Sequence, residues 1–100
     1  MKRIKIGDLP EFDAARYLDN DKAVAEYLTA VIDQNDPALL AVALGDIARA
    51  RGMSEIAGAA GLTREALYKA LRRGAQPRFD TISRVCTALG VRLVVEPTAR

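Results

Sequence analysis

The sequence predicts an all-α domain of five helices with short β-strands at its ends. Half of its 100 residues are apolar, only 5% are aromatic and alanine is frequent, a composition suited to closely packed small helices. Apolar residues recur at i, i+3 and i+4 in several separate segments, the period of an amphipathic helix. Those segments are bounded by Asp, Asn, Ser or Thr on one side and by Gly on the other, the residue types that cap helix starts and stops. One hundred residues suit one domain. Residues 1–35 form an N-terminal arm with helices, 36–90 a helical core and 91–96 a terminal strand.

In chain order, Ile4-Lys5-Ile6 alternates before Gly7 and Pro10, which reads as a short strand or an extended arm. Phe12 to Leu18 is long enough for a short helix. Asp19-Asn20-Asp21 supplies N-cap candidates for a helix carrying Val24, Tyr27, Leu28, Val31 and Ile32 on one face, stopping near Gln34-Asn35. Asp36 caps the second helix. Pro37 fits its first position because the missing N–H would be unpaired there in any case. Leu40, Leu44 and Ile47 form the buried stripe, and Arg51-Gly52 ends it. Ser54 caps a short third helix through Ala60, Gly61-Leu62 turns the chain, and Thr63 caps a fourth helix running to Arg72-Arg73 before Gly74. Asp80 or Thr81 caps the fifth, with Ile82, Val85, Cys86 and Leu89 inward and Gly90 at its end. Val91 to Glu96 is rich in β-branched residues and reads as a strand that Pro97 stops.

Charge divides the chain. Residues 1–48 hold five Lys/Arg and nine Asp/Glu, net −4, while 49–100 hold ten and four, net +6, which together give the overall +2. Ordinary solvated charge is the plain alternative, but a basic half suits a polyanion. The absence of histidine and the single cysteine, Cys86, exclude a Cys/His metal cluster, an intramolecular disulfide and imidazole acid–base chemistry. No catalytic constellation or cofactor loop is present, so no enzyme activity and no cofactor is expected. Asp33 and Asp36 lie close together, and capping explains them better than catalysis. Cys86, on an inner helical stripe, reads as a buried structural thiol. Met1 to Pro10 lacks the apolar core of a signal peptide and no run is long enough to span a bilayer, so a soluble cytoplasmic protein is expected.

Residues 54–73 carry the functional signal. Ala57 and Ala60 are small enough for two short helices to meet closely, Gly61 permits a tight turn, and Ile56, Leu62 and Leu67 fill the space beneath. With Leu67, Ala70 and Leu71 inward, Arg64, Glu65, Tyr68, Lys69, Arg72 and Arg73 face outward. This is the pattern of a helix-turn-helix whose second helix enters the major groove. A structural hairpin with a charged face is the rival; the coincidence of small pair, glycine, cap and basic face favours DNA. Arg64 suits a bidentate contact to guanine. Tyr68 suits a base or backbone contact, or simply pads the surface. Ser54, Lys69, Arg72, Arg73 and Arg78 suit phosphates, and Thr63 and Glu65 lie at the helix start beside them.

The stretch Gly52 to Leu71, with Pro77-Arg-Phe-Asp-Thr-Ile82 and Ala88-Leu-Gly90, resembles the Xre, lambda-repressor-like family. The opening Phe12-Asp-Ala-Ala-Arg-Tyr-Leu18 and the Tyr27-Leu28 pair make the chain similar, within it, to HigA-like addiction-module antidotes. The resemblance implies a five-helix repressor-like fold, a small basic RelE/ParE-like toxin as partner, binding to the operon's own operator DNA, and a homodimer. Glu55 departs from the Gln that many relatives carry after the cap of the third helix, where it braces a phosphate; a carboxylate repels phosphate. A stand-alone repressor without a toxin, and an interaction module that has lost DNA binding, are the alternative functions. Val91, Leu93 and Val95 are candidate dimer-interface residues, pairing either across a two-fold axis or with Ile4 to Ile6. The acidic part from Asp8 to Asp36, with Asp13, Asp19 and Glu26, is the candidate toxin-facing surface, by charge complementarity.

Overall fold

The computed structural model describes residues 20–99, and within them the chain forms five helices. They are α1 (Asp21–Ile32), α2 (Pro37–Arg51), α3 (Met53–Ala60), α4 (Arg64–Leu71) and α5 (Phe79–Ala88). The expectations for Ile4 to Ile6 and for Phe12 to Leu18, and the candidate residues Asp13 and Asp19, lie outside the described residues.

Local chemistry sets most helix starts. Of the three cap candidates before α1, Asn20 makes the bond: its side-chain oxygen accepts from the Ala23 amide at 2.9 Å. Asp36 accepts from the amides of Ala38 at 3.0 Å and Leu39 at 3.4 Å, with Pro37 at the first position. Thr63 accepts from the Ala66 amide at 3.0 Å. Each satisfies a donor that the helix start leaves without an intrahelical partner.

Two starts differ from the sequence expectation. Gly52, with φ 105, is the single residue between α2 and α3, so α3 begins at Met53 and Ser54 lies within its first turn without capping it. The Ile56 amide bonds back to the Gly52 carbonyl at 3.0 Å, which makes Gly52 the cap position, and Met53 at the first helical position is buried in the core. Helix α5 begins at Phe79 rather than after Asp80 or Thr81, and Asp80 sits in its first turn, where the helix dipole favours a carboxylate.

One helix end differs too. Helix α4 stops at Leu71, and Arg72 takes extended angles of φ −67 and ψ 159. Continuing the helix would stack Arg72 and Arg73 one turn above Lys69, a run of like charges at i, i+3 and i+4. The end of α4 also abuts α2: a side chain at Gly45 would meet the Leu71 carbonyl at 3.2 Å.

Helices α2 and α3 share the centre: α2 packs against α1, α3 and α4, and α3 packs also on α4 and α5. Helix α2 is buried on most of its circumference, through Leu39, Ala41, Ala43, Leu44, Gly45, Ile47 and Ala48. Leu39 takes the fully buried place expected of Leu40, which is only partly buried. One core cluster joins this face to Val24, Leu28 and Val31 of α1, Met53 and Ile56 of α3, Leu67 and Leu71 of α4, and Val85, Cys86 and Leu89 at α5. No helix among the described residues is long and apolar enough to cross a membrane.

The expected strand at 91–96 is absent: residues 91–99 carry no regular structure. A strand exists only through the partner that completes its hydrogen bonds. The tail runs past the end of α1, where Arg92, Leu93, Val94 and Glu96 border a shallow groove with Thr29, Ile32 and Asp33.

Candidate nucleic-acid interface

The site is built on α3, its turn and α4. Ala57 and Ala60 are buried where α3 meets its neighbours, as their size requires. Gly61 takes the left-handed conformation, φ 73 and ψ 29. The amide of Leu62 donates to the Ala57 carbonyl at 2.8 Å and that of Gly61 to the Gly58 carbonyl at 3.2 Å. These two bonds form a Schellman end to α3 and set the direction in which Thr63 opens α4. Leu67 and Leu71 then anchor α4 in the core, with Ala70 partly buried beside them.

Anchoring that face leaves Arg64, Glu65, Tyr68 and Lys69 exposed on the other. Arg72 and Arg73 are exposed in the turn that follows, off the helix. Lys69 and Arg72 line one depression with Gly74, Gln76 and Pro77, so the change in backbone leaves both cations on the rim of the same hollow. Arg78 is exposed, and its Nε lies 3.3 Å from Asp80 Oδ1. An exposed pair of this kind contributes little and yields readily to a stronger anion. Ser54 and Glu55 are both exposed in the first turn of α3, so Glu55 places a negative charge on the side where Ser54 lies.

Two features escaped the sequence reading. Arg64 and Tyr68 are joined: Arg64 Nη2 donates to Tyr68 Oη at 3.3 Å, and its guanidinium carbon stands 5.1 Å from the ring centroid. Their i, i+4 spacing was the available signal. Phe79, next to Arg78, is 72% exposed at the start of α5; only the tertiary placement of α5 turns its side chain outward.

The other candidate surfaces lie elsewhere. Glu26 is exposed on α1 and borders a shallow apolar groove with Ala25, Thr29, Ala30 and Asp33. Val91 is half-buried in its own chain, and its amide donates to the Cys86 carbonyl at 3.0 Å. Leu93 is exposed and Val95 fully so. Cys86 is buried, and burial raises its thiol pKa above the ordinary value of 9.0.

Among the described residues the only regular structure is helical, and α3, the Gly61 turn and α4 form a helix–glycine–helix unit whose second helix presents Arg64 and Lys69 on its exposed face. The chain belongs to the family described as "probable addiction module antidote protein", whose model matches residues 8–97. It is also similar to an uncharacterized protein of Haemophilus influenzae (strain ATCC 51907 / DSM 11121 / KW20 / Rd), 42% identical over 88 residues, which cover 88% of this chain and 91% of the relative. No solved structure matches it.

Proposed function

We propose that this protein is the antitoxin of a type II toxin–antitoxin module. It neutralises a small RelE/ParE-like, HigB-like toxin and, as a dimer, represses its own operon by binding operator DNA through α3 and α4 as a helix-turn-helix of the Xre type. It acts in the cytoplasm as a binding protein, without enzyme activity. The observation that carries the reading is membership of the addiction-module antidote family along residues 8–97.

The exposed basic face of α4 supports the DNA half. Arg64 reads a base edge, while Ser54, Lys69, Arg72, Arg73 and Arg78 neutralise phosphates, the division of labour usual at protein–DNA interfaces. A dimer places its two recognition helices on half-sites about 34–36 Å apart. Leu93 and Val95, exposed in a single chain, support a role for the tail in that dimer. Glu26 and the acidic N-terminal part face a basic toxin.

Co-expression with the neighbouring reading frame, followed by purification through a tag on this chain, tests the antitoxin role. The expected result is a stable complex and rescue of growth from the toxin; a neighbour that neither co-purifies nor inhibits growth overturns it. A gel shift on the upstream promoter at low salt tests the DNA role. Absence of binding there leaves an interaction module without DNA binding, the reading that Glu55 favours.

A further inference from the structure

We infer that Tyr68 is a positioning residue that holds the Arg64 guanidinium ready to read one guanine and does not itself contact a base. The inference rests on the reading of α4 as the recognition helix.

The two side chains stand one turn apart on the exposed face of α4. The hydrogen bond at 3.3 Å and the ring contact at 5.1 Å together restrain the guanidinium at two points. Glu65 adjoins Arg64 in the chain, yet among the described residues Arg64 makes no ion pair. The phenol holds the guanidinium without neutralising its charge. The donor inventory permits both roles at once. A guanidinium carries five N–H groups, and a bidentate contact to guanine O6 and N7 uses two. With one N–H given to the Tyr68 oxygen, the inventory still covers a base.

Restraint matters because a long side chain loses rotamer freedom when it is fixed on a base. An arginine already held by a tyrosine loses less on binding. It also presents one orientation instead of several, which sharpens discrimination at one base pair. A tyrosine that reads its own base would instead set preference at a second position, and a merely structural one would alter stability and affinity without altering preference.

The test measures affinity for the operator and for a panel in which each base pair is changed in turn, using the full-length protein and its Arg64→Ala, Tyr68→Phe, Tyr68→Ala and Arg64→Ala/Tyr68→Ala variants. Arg64→Ala is expected to remove discrimination of roughly tenfold to a hundredfold at one G·C pair. Tyr68→Ala is expected to lose part of the discrimination at that same pair, Tyr68→Phe less because the ring contact remains, and the double variant no more than Arg64→Ala alone. Both residues are exposed, so the melting temperatures should stay close to wild type. If Tyr68→Ala flattens preference at a different base pair, weakens all sequences equally or changes nothing, the inference is overturned while the DNA-binding reading stands. If the wild type binds none of the panel at low salt, both fall together.

Discussion

Arg51, the last residue of α2, grips Asp21, the first residue of α1, with Nη2 and Oδ1 2.9 Å apart, and at the same time donates from Nη1 to the Leu89 carbonyl at 2.9 Å. One guanidinium thereby ties the start of α1 and the end of α5 to the end of α2. Three segments far apart in sequence meet at this point, 30 and 38 residues from Arg51.

Arg51→Ala should destabilise the protein by about 1–3 kcal/mol, in the range of hydrogen bonds to charged groups. The Arg51 side chain is only 14% exposed, whereas that of Asp21 is 60% exposed. Asp21→Ala should therefore cost less, about 1 kcal/mol or below, because solvent screens its side of the pair. Urea titration of the two single variants and the double variant measures both costs and their coupling.

Gly90 and Gly61 should respond differently to alanine, although both have positive φ, 84 and 73. A Cβ at Gly61 meets nothing within 4 Å, so Gly61→Ala should cost only the left-handed strain, about 1–2 kcal/mol. At Gly90 the Cβ would fall 2.5 Å from Asp21 Oδ2, displacing the carboxylate that Arg51 holds. Gly90→Ala should cost about 1 kcal/mol more than Gly61→Ala. Asp21→Ala in the Gly90→Ala background should recover part of that difference in thermal melts.

Cys86 should react slowly with thiol reagents in the folded protein and at a normal rate in denaturant. Burial both blocks access and disfavours the thiolate, the reactive form. The sign for stability follows. Because the folded protein holds the thiol proton more tightly than the unfolded chain, this contribution is fully present below the ordinary pKa of 9.0 and declines as pH rises above it. Comparing wild type with Cys86→Ala by denaturant titration at neutral pH and above 9.0 isolates the effect.

Single replacement of Lys69, Arg72 or Arg73 by alanine should weaken operator binding about equally for all sequences. Each should also reduce the slope of log K against log salt by about 2 in the proposed dimer, the effect of leaving one phosphate per subunit without its cation. Arg78→Ala should do less, since Asp80 already offsets part of its charge. Filter binding across a salt series reads both quantities.

Removing residues 92–100 should leave the helical core folded, because the last cap bond, from Val91 to Cys86, is retained. If the tail joins two chains, light scattering should show the shortened protein as a monomer where the full chain is a dimer. A shortened chain that stays dimeric places the interface elsewhere.

Local sequence accounts for the existence of the five helices and for the starts of three of them. Asp36 with Pro37, Thr63, Gly61 and the spacing of Val24, Leu28 and Val31 act within one or two turns, so their chemistry is written in neighbouring residues. It also determined which face of α4 is buried, since Leu67 and Leu71 are four apart. The rest depended on partners distant in the chain. Gly52, not Ser54, takes the cap position of α3, with Met53 buried behind it, and Leu39 displaces Leu40 because α2 packs against three other helices. The tail from 91 to 99 forms no strand because β-branched residues supply a preference and not a partner. Arg51 looked like the ordinary basic end of a helix, and its place between Asp21 and Leu89 arose only when three helices packed. Local caps and periodicity act through bonds a few residues long, whereas these outcomes depend on contacts that exist only after the chain has closed on itself.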